Sequence, residues 1–203
     1  MDHGVASLAG FQEAFGRLFG GGSETPGLQA AWFATPLGPM VGAASEAGVC
    51  FLEFSDRQRL ESQVVTLGRR FGPGVVPGDS RHLARLRTEL DAYFAGRLRE
   101  FSVPLVYPGT PFEVRVWEAL RTIGYGATRS YLDIARSLGD PGAMRAVGGA
   151  NGRNRIAVVI PCHRVVNHGG RGLGGYGGGL WRKERLLALE QGQGALMGGP
   201  PPS

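Results

Sequence analysis

Cysteine is scarce in this chain. Its 203 residues carry two, Cys50 and Cys162, far apart and in unlike surroundings. That excludes a disulfide framework and fits a reducing compartment, so a cytoplasmic location is expected. No CxxC pair exists, which argues against a redox dithiol. Cys162 has only His163 and His168 near it in sequence and Cys50 stands isolated, so no metal site is expected. Long apolar runs are missing too, and none approaches the roughly 20 residues of a membrane span. The N-terminus holds acids and glycines where a secretory leader has a basic and then an apolar stretch, so no leader is expected. There is no internal repeat and no cofactor-binding motif, and no cofactor is expected.

What is present is enough apolar residue, 42% of the chain, to bury the core of one or two domains. Charge is uneven. Residues 1–103 are close to neutral at −1, and residues 104–203 carry the rest of the net +5, a local +6. A basic second half suits a polyanion partner, and it also suits a genome that supplies arginine everywhere.

Four regions separate along the chain. In "SLAGFQEAFGRLFGGG" (7–22), Leu8, Phe11, Phe15, Leu18 and Phe19 recur at helical spacing, and the glycines with "SETPG" form a linker, giving a first segment 1–29. Segment 30–103 opens with strands around Trp32–Phe33, Met40–Ala44 and Val49–Phe54, separated by the turn sequences "TPLGP" and "SEAG". Short turns between successive strands predict a three-stranded antiparallel meander. Helices are expected from about Gln58 to Phe71 and from Ser80 to Gly96, the second with Ser80 as its cap. Cys50, between Val49 and Phe51, is read as a small core residue. Segment 192–203, rich in Gly and Pro, is expected to be disordered.

Segment 104–191 carries the motifs. "TPFEVRVWEALRTIGYG" places Thr110 as cap, Pro111 at the first helical position and Phe112, Val116, Leu120 and Ile123 on the buried stripe. "SYLDIARSLG" follows with Ser130 as cap, and "DPGAMRAVGGANG" restarts from Asp140 and Pro141. Two short helices around a glycine-containing turn have the layout of a helix-turn-helix. The second is nearly bare, with Arg145 as its main reach. A smooth helix can enter a minor groove while one arginine probes the duplex, and small residues equally allow tight packing on another helix.

"VVIPCHRVV" (158–166) sets a thiol beside an imidazole at the end of a β-branched run. On a strand the two would face opposite sides, as a core cysteine and a solvent-facing histidine. A turn at Pro161–Cys162 removes that restriction and lets His163 approach the sulfur directly or through water. A free thiol is only a few per cent ionised near neutral pH, so a nucleophilic Cys162 needs such a base. The papain-type arrangement of Cys and His is absent.

"IPCHRVV", preceded by "MRAVGGANGRN" and followed by "GGYGGGLWRKERLLALE", resembles the O6-alkylguanine-DNA alkyltransferase family, in layout over about 30–191 and in detail over 107–191. The resemblance implies an α+β protein: a small ribonuclease-H-like N-terminal domain (30–103) and a mostly helical DNA-binding and catalytic domain (104–191) with the helix-turn-helix. It implies irreversible, single-turnover transfer of an alkyl group from O6-alkylguanine, and from O4-alkylthymine, in double-stranded DNA to the protein's own cysteine. No cofactor, metal or membrane takes part, and the protein is expected to be a monomer. By the same resemblance Cys162 is the acceptor, His163 the base acting through water, Glu190 the acid orienting it, and Asn154 the hinge after the recognition helix. Tyr131 donates toward guanine N3, and Arg145 fills the gap left by the extruded base. The carbonyls of Cys162 and Val165 accept from the guanine amine. Tyr176 and Gly177 belong to a lid, and Ser130 lies beside the base. The chain departs from the family pattern at Asn151, Gly152 and Arg155, and Gly177–Gly179 predict a flexible lid open to larger alkyl groups. Residues 7–20 are similar to the last helix of AraC-type domains in Ada-type regulators, as a remnant without DNA binding of its own. A damage sensor lacking the acceptor cysteine, and a regulator fragment, are the competing classes.

Overall fold

The computed structural model describes residues 27–57, 63, 66, 67, 71, 75–170 and 172–193. The expected N-terminal helix and linker, and the tail beyond residue 193, lie outside these. The chain forms two compact units, divided between Val106 and Tyr107.

In the first unit, β1 (Leu28–Phe33), β2 (Met40–Ser45) and β3 (Gly48–Phe54) form the expected antiparallel meander. The sheet has four strands, however, in the order β3-β2-β1-β4, because Val75–Pro77 pairs in parallel with β1 as β4. Three residues ending in proline carry no readable alternation, so "GPGVVPGD" looks like a loop until the long-range pairing is seen. Every residue of β3 is buried, Glu53 included, so it shows no alternation of apolar and polar positions. Its edge is covered by chain from the same unit: Val49 N–H donates to Pro104 O at 2.8 Å and Val106 N–H to Val49 O at 2.8 Å. A Cβ on Gly48 would stand 2.5 Å from Pro104 O, so only glycine allows this approach.

Helix α1 (Arg81–Phe94) starts at the expected cap, with Ser80 Oγ accepting from Leu83 N–H, and buries Leu83, Leu86, Leu90 and Phe94. Of the helix expected over 58–71, the described residues Gln63, Thr66, Leu67 and Phe71 are helical. Leu67 joins Leu28, Val41, Phe51 and Val75 in one core cluster that also holds Cys50. Burial pushes the Cys50 thiol up to about 12, as fits a core residue.

The second unit is mostly helical: α2 (Pro111–Arg121), α3 (Tyr131–Ser137), α4 (Met144–Gly152) and α5 (Leu180–Glu190), with a two-stranded parallel pairing of β5 (Arg129–Ser130) and β6 (Val165–Val166). Thr110 and Glu113 close a capping box on α2, and Ser130 and Asp133 close another on α3. The buried stripe of α2 differs from expectation at one position. Phe112 is half-buried, while Trp117 is fully buried and donates its indole N–H to Ala150 O of α4 at 2.9 Å. Among the described residues no helix is long and apolar enough to cross a membrane.

Candidate active site

The β-branched run before the cysteine is not a strand. Ile156 makes a lone bridge, residues 157–159 are a turn and Ile160 a bend, Cys162–Arg164 form a single 3-10 turn, and the strand begins only at Val165. The side chain of Asn154 organises this bend. Its Oδ1 accepts from Ile156 N–H at 3.0 Å, and its Nδ2 donates to Ile160 O at 2.9 Å and to Cys162 Sγ at 3.0 Å. Donation to sulfur favours the thiolate over the thiol. Cys162 itself is 6% exposed.

His163 turns inward. Its Nε2 donates to Glu190 Oε1 at 2.9 Å, with both side chains fully buried. That leaves the lone pair on Nδ1, which has no hydrogen-bond partner among the described residues. Glu190 is not committed to His163 alone. Arg164 grips both of its oxygens at 2.9 Å, donates also to Ile123 O at 2.6 Å, and Gly126 N–H reaches Glu190 Oε2 at 3.2 Å. Burial works against the Glu190 charge, but the bonds from His163 and Arg164 prevail and hold it well below the usual carboxylate range. For His163, burial outweighs Glu190, and the positive charges of Arg164 and Lys183 add to it, so the imidazole is kept neutral. Arg164 thus neutralises the carboxylate and leaves the histidine free to act as a base.

The β5–β6 pairing sets Arg129 beside Val165 and Ser130 beside Val166, which brings the start of α3 to the thiol. Tyr131 is the first residue of that helix. Burial, then the Cys162 sulfur, push its phenol above the usual 10, so it stays protonated. Its hydroxyl donates to Gly175 O at 3.4 Å. A Cβ on Gly174 (φ 71°) would stand 2.9 Å from the Tyr131 ring, so the glycine-rich loop lies directly against the phenol. Tyr176 of the same loop meets the His163 ring edge-on at 6.5 Å between centroids. Gly177 is exposed on this loop, and Ser130 is buried as the cap of α3.

Both carbonyls assigned to base recognition already have donors. Cys162 O accepts from Val165 N–H and, at 3.4 Å, from Asn151 Nδ2, while Val165 O accepts from Lys183 Nζ at 2.5 Å. A carbonyl oxygen has two lone pairs, and on Cys162 O both are engaged. Asn151 is buried rather than presented at the surface, and Arg145 is exposed on α4 with Met144 and Ala146. A Cβ on Gly148 would meet the Tyr131 ring only at ordinary contact distance, so packing does not require its bareness.

Arg164 and Lys183 were not singled out in the sequence. Each sits in a basic segment, where a long cationic side chain resembles surface charge, and nothing local marks it as buried.

Fold and site together define an α+β protein with a thiol, an imidazole and a carboxylate gathered beside a glycine-rich loop. The profile described as 6-O-methylguanine DNA methyltransferase, DNA binding domain, matches residues 111–192, and that described as 6-O-methylguanine DNA methyltransferase, ribonuclease-like domain, matches 30–107. A methylated-DNA–protein-cysteine methyltransferase of Mycobacterium leprae is 46% identical over 159 residues, covering 78% of this chain and 90% of the relative. The constitutive one of Bacillus subtilis is 39% identical over 158 residues, 77% of this chain and 92% of the relative. Mycobacterium tuberculosis OGT in complex with DNA superposes with a TM-score of 0.69 at 41% identity, covering 81% of this chain and 94% of that one. The chain belongs to the 6-O-methylguanine DNA methyltransferase family.

Proposed function

We propose that this protein repairs DNA by direct reversal, moving the alkyl group, chiefly methyl, from O6-alkylguanine, and also from O4-alkylthymine, onto Cys162. The observation that carries this reading is the amide of Asn154 on the Cys162 sulfur, with a neutral His163 next along the chain whose Nε2 is tied to Glu190. The Nδ1 lone pair takes the thiol proton through a water. Sulfur then forms a bond to the alkyl carbon as the carbon–O6 bond breaks. The electron pair passes into the guanine ring, which Tyr131 protonates at N3, and the proton held on His163 restores the phenol through solvent. The thioether formed is not reversed, so each chain acts once.

Chemistry at O6 requires the base to leave the stack. The bare outer face of α4 and the exposed Arg145 suit entry into a minor groove, with Arg145 filling the space left in the duplex. On this reading α3 and α4 are the helix-turn-helix, Ser130 positions Tyr131 beside the base, and Tyr176 and Gly177 line the alkyl pocket. The partner is double-stranded DNA, and the protein acts in the cytoplasm as a monomer, since one copy carries every residue named.

The test is transfer of label from an O6-methylguanine duplex. Wild-type protein should gain one methyl per chain by mass spectrometry, and Cys162→Ala should gain none while still binding the duplex. Binding without transfer by the wild type would make it a damage sensor and overturn the proposal.

A further inference from the structure

The chain has a single lysine, and it is fully buried. We infer that Lys183 is a positioning residue for the transfer reaction, its ammonium locking the Leu173–Gly175 loop and β6 together around Cys162 and holding the sulfur in its ionised form. The inference rests on the alkyl-transfer reading above and assigns a role to a group that reading does not use.

Lys183 reaches the site because α5 runs past the reactive turn with Arg182, Lys183, Leu186 and Glu190 all buried. Its Nζ donates to Val165 O at 2.5 Å, Leu173 O at 2.5 Å and Gly175 O at 3.3 Å. Three acceptors use all three N–H bonds of an ammonium, and a neutral amine could serve only two. The acceptors are informative. Val165 O belongs to the strand that follows the cysteine, and the other two belong to the glycine-rich loop. Gly175 O also receives the Tyr131 hydroxyl, so a single carbonyl joins the lysine to the phenol that protonates the leaving base. A loop of glycines has little intrinsic order, and the lysine supplies it.

None of the three partners is a carboxylate; all are backbone carbonyls. Burial accordingly brings Lys183 down to about 8, and the nearby Cys162 sulfur opposes that fall. The coupling is mutual: an ammonium that gains from a thiolate also favours the thiolate. Among the described residues, Cys162 and His163 of the 3-10 turn interact with this charge, and Tyr131 of α3 shares Gly175 O with it. Lys183 disfavours a proton on His163, so it supports the neutral base as well as the ionised nucleophile. Above a pH of about 8 the lysine loses its proton, and with it one loop contact and its hold on the sulfur.

A cysteine nucleophile with no such group would gain rate with pH and level off. This protein should instead lose rate above a pH of about 8. The experiment measures single-turnover transfer from an O6-methylguanine duplex between pH 6 and pH 9.5, roughly spanning the thiol and lysine titrations, for full-length wild type, Lys183→Arg and Lys183→Met. Lys183→Arg keeps a charge that does not titrate in this range and should lose the alkaline fall. Lys183→Met should lack the fall and be slower throughout. Near neutrality the loss should be about tenfold, as when removal of one nearby opposite charge moves a titration by about one unit. Amide exchange over residues 172–178 should quicken in Lys183→Met, and if that variant does not fold, the arginine variant carries the test. An unchanged profile in Lys183→Arg, or wild-type rates in Lys183→Met, would overturn this inference and leave alkyl transfer standing. Absence of label on wild-type Cys162 would instead remove the reading beneath it.

Discussion

A single amide, that of Asn154, does the local work of shaping the reactive turn. Between its bonds to Ile156 N–H and Ile160 O lies Val158, whose φ of 71° is left-handed. A β-branched residue there costs on the order of 1–3 kcal/mol and persists only where its surroundings impose it. The same amide donates to the sulfur, so strain in the turn and reactivity of the thiol depend on one side chain. Asn154→Ala should lower unfolding free energy by about 2–4 kcal/mol, the cost of leaving buried backbone partners unpaired, and should slow transfer as well. Asn154→Asp separates the two effects. It keeps an acceptor for Ile156 N–H and sets a carboxylate against the thiolate, so its rate should fall further than its stability does. Urea titration and single-turnover kinetics on both variants check this, and wild-type stability in Asn154→Ala would contradict it.

The helix caps divide the elements by what they support. Thr110 and Ser130 close the same kind of capping box, and replacing either by alanine should cost about 1 kcal/mol. Their effects on transfer should differ. Thr110 starts α2, whose N-terminus is braced by the Glu113–Arg153 ion pair at 2.5 Å. Ser130 ends β5 and directly precedes Tyr131, so Ser130→Ala frays the turn that aims the phenol and should slow transfer several-fold, while Thr110→Ala leaves the rate unchanged; equal effects on rate would refute this. Both caps could be read from sequence because a capping box is local, a hydroxyl with an acid three residues on. The meander was legible for the same reason, through its turn residues. β4 was not, since its identity lies in parallel pairing with a distant strand. The turn at 157–159 was hidden behind β-branched residues that favour strands, overridden by the Asn154 side chain. At the site, the Cys162–His163 pair was legible in its motif and Glu190 only through the family resemblance, whereas the burial of Arg164 and Lys183 depends on how α5 packs.

At the scale of the molecule, carboxylates in both units tie stability to pH in one direction. In the first unit, burial raises Glu89, but Ser102, Arg85 and the N–H groups of Ser102 and Val103 prevail and lower it from the usual 4.5. In the second unit Glu113 is lowered despite its burial, through Thr110 and Arg153, and Glu190 through His163 and Arg164. Asp133 is lowered chiefly by its bonds from Ser130. A carboxyl lowered in the folded state binds fewer protons there than in the unfolded chain, so its contribution is complete above the unfolded value and disappears as pH falls through the folded one. Unfolding free energy should therefore be level from about pH 7 to pH 5 as far as these groups decide it, and should drop steadily below the usual 4.5. Glu190 should matter most. Its side chain is fully buried, and protonating it strips Arg164 of its partner in the interior. Glu190→Gln should accordingly be less stable than wild type at neutral pH and show a shallower acid slope. Urea unfolding of both proteins at half-unit intervals from pH 7 to pH 3 measures this, over roughly the carboxylate titration range. Parallel curves for the two would mean that Glu190 does not set the acid limit of the fold.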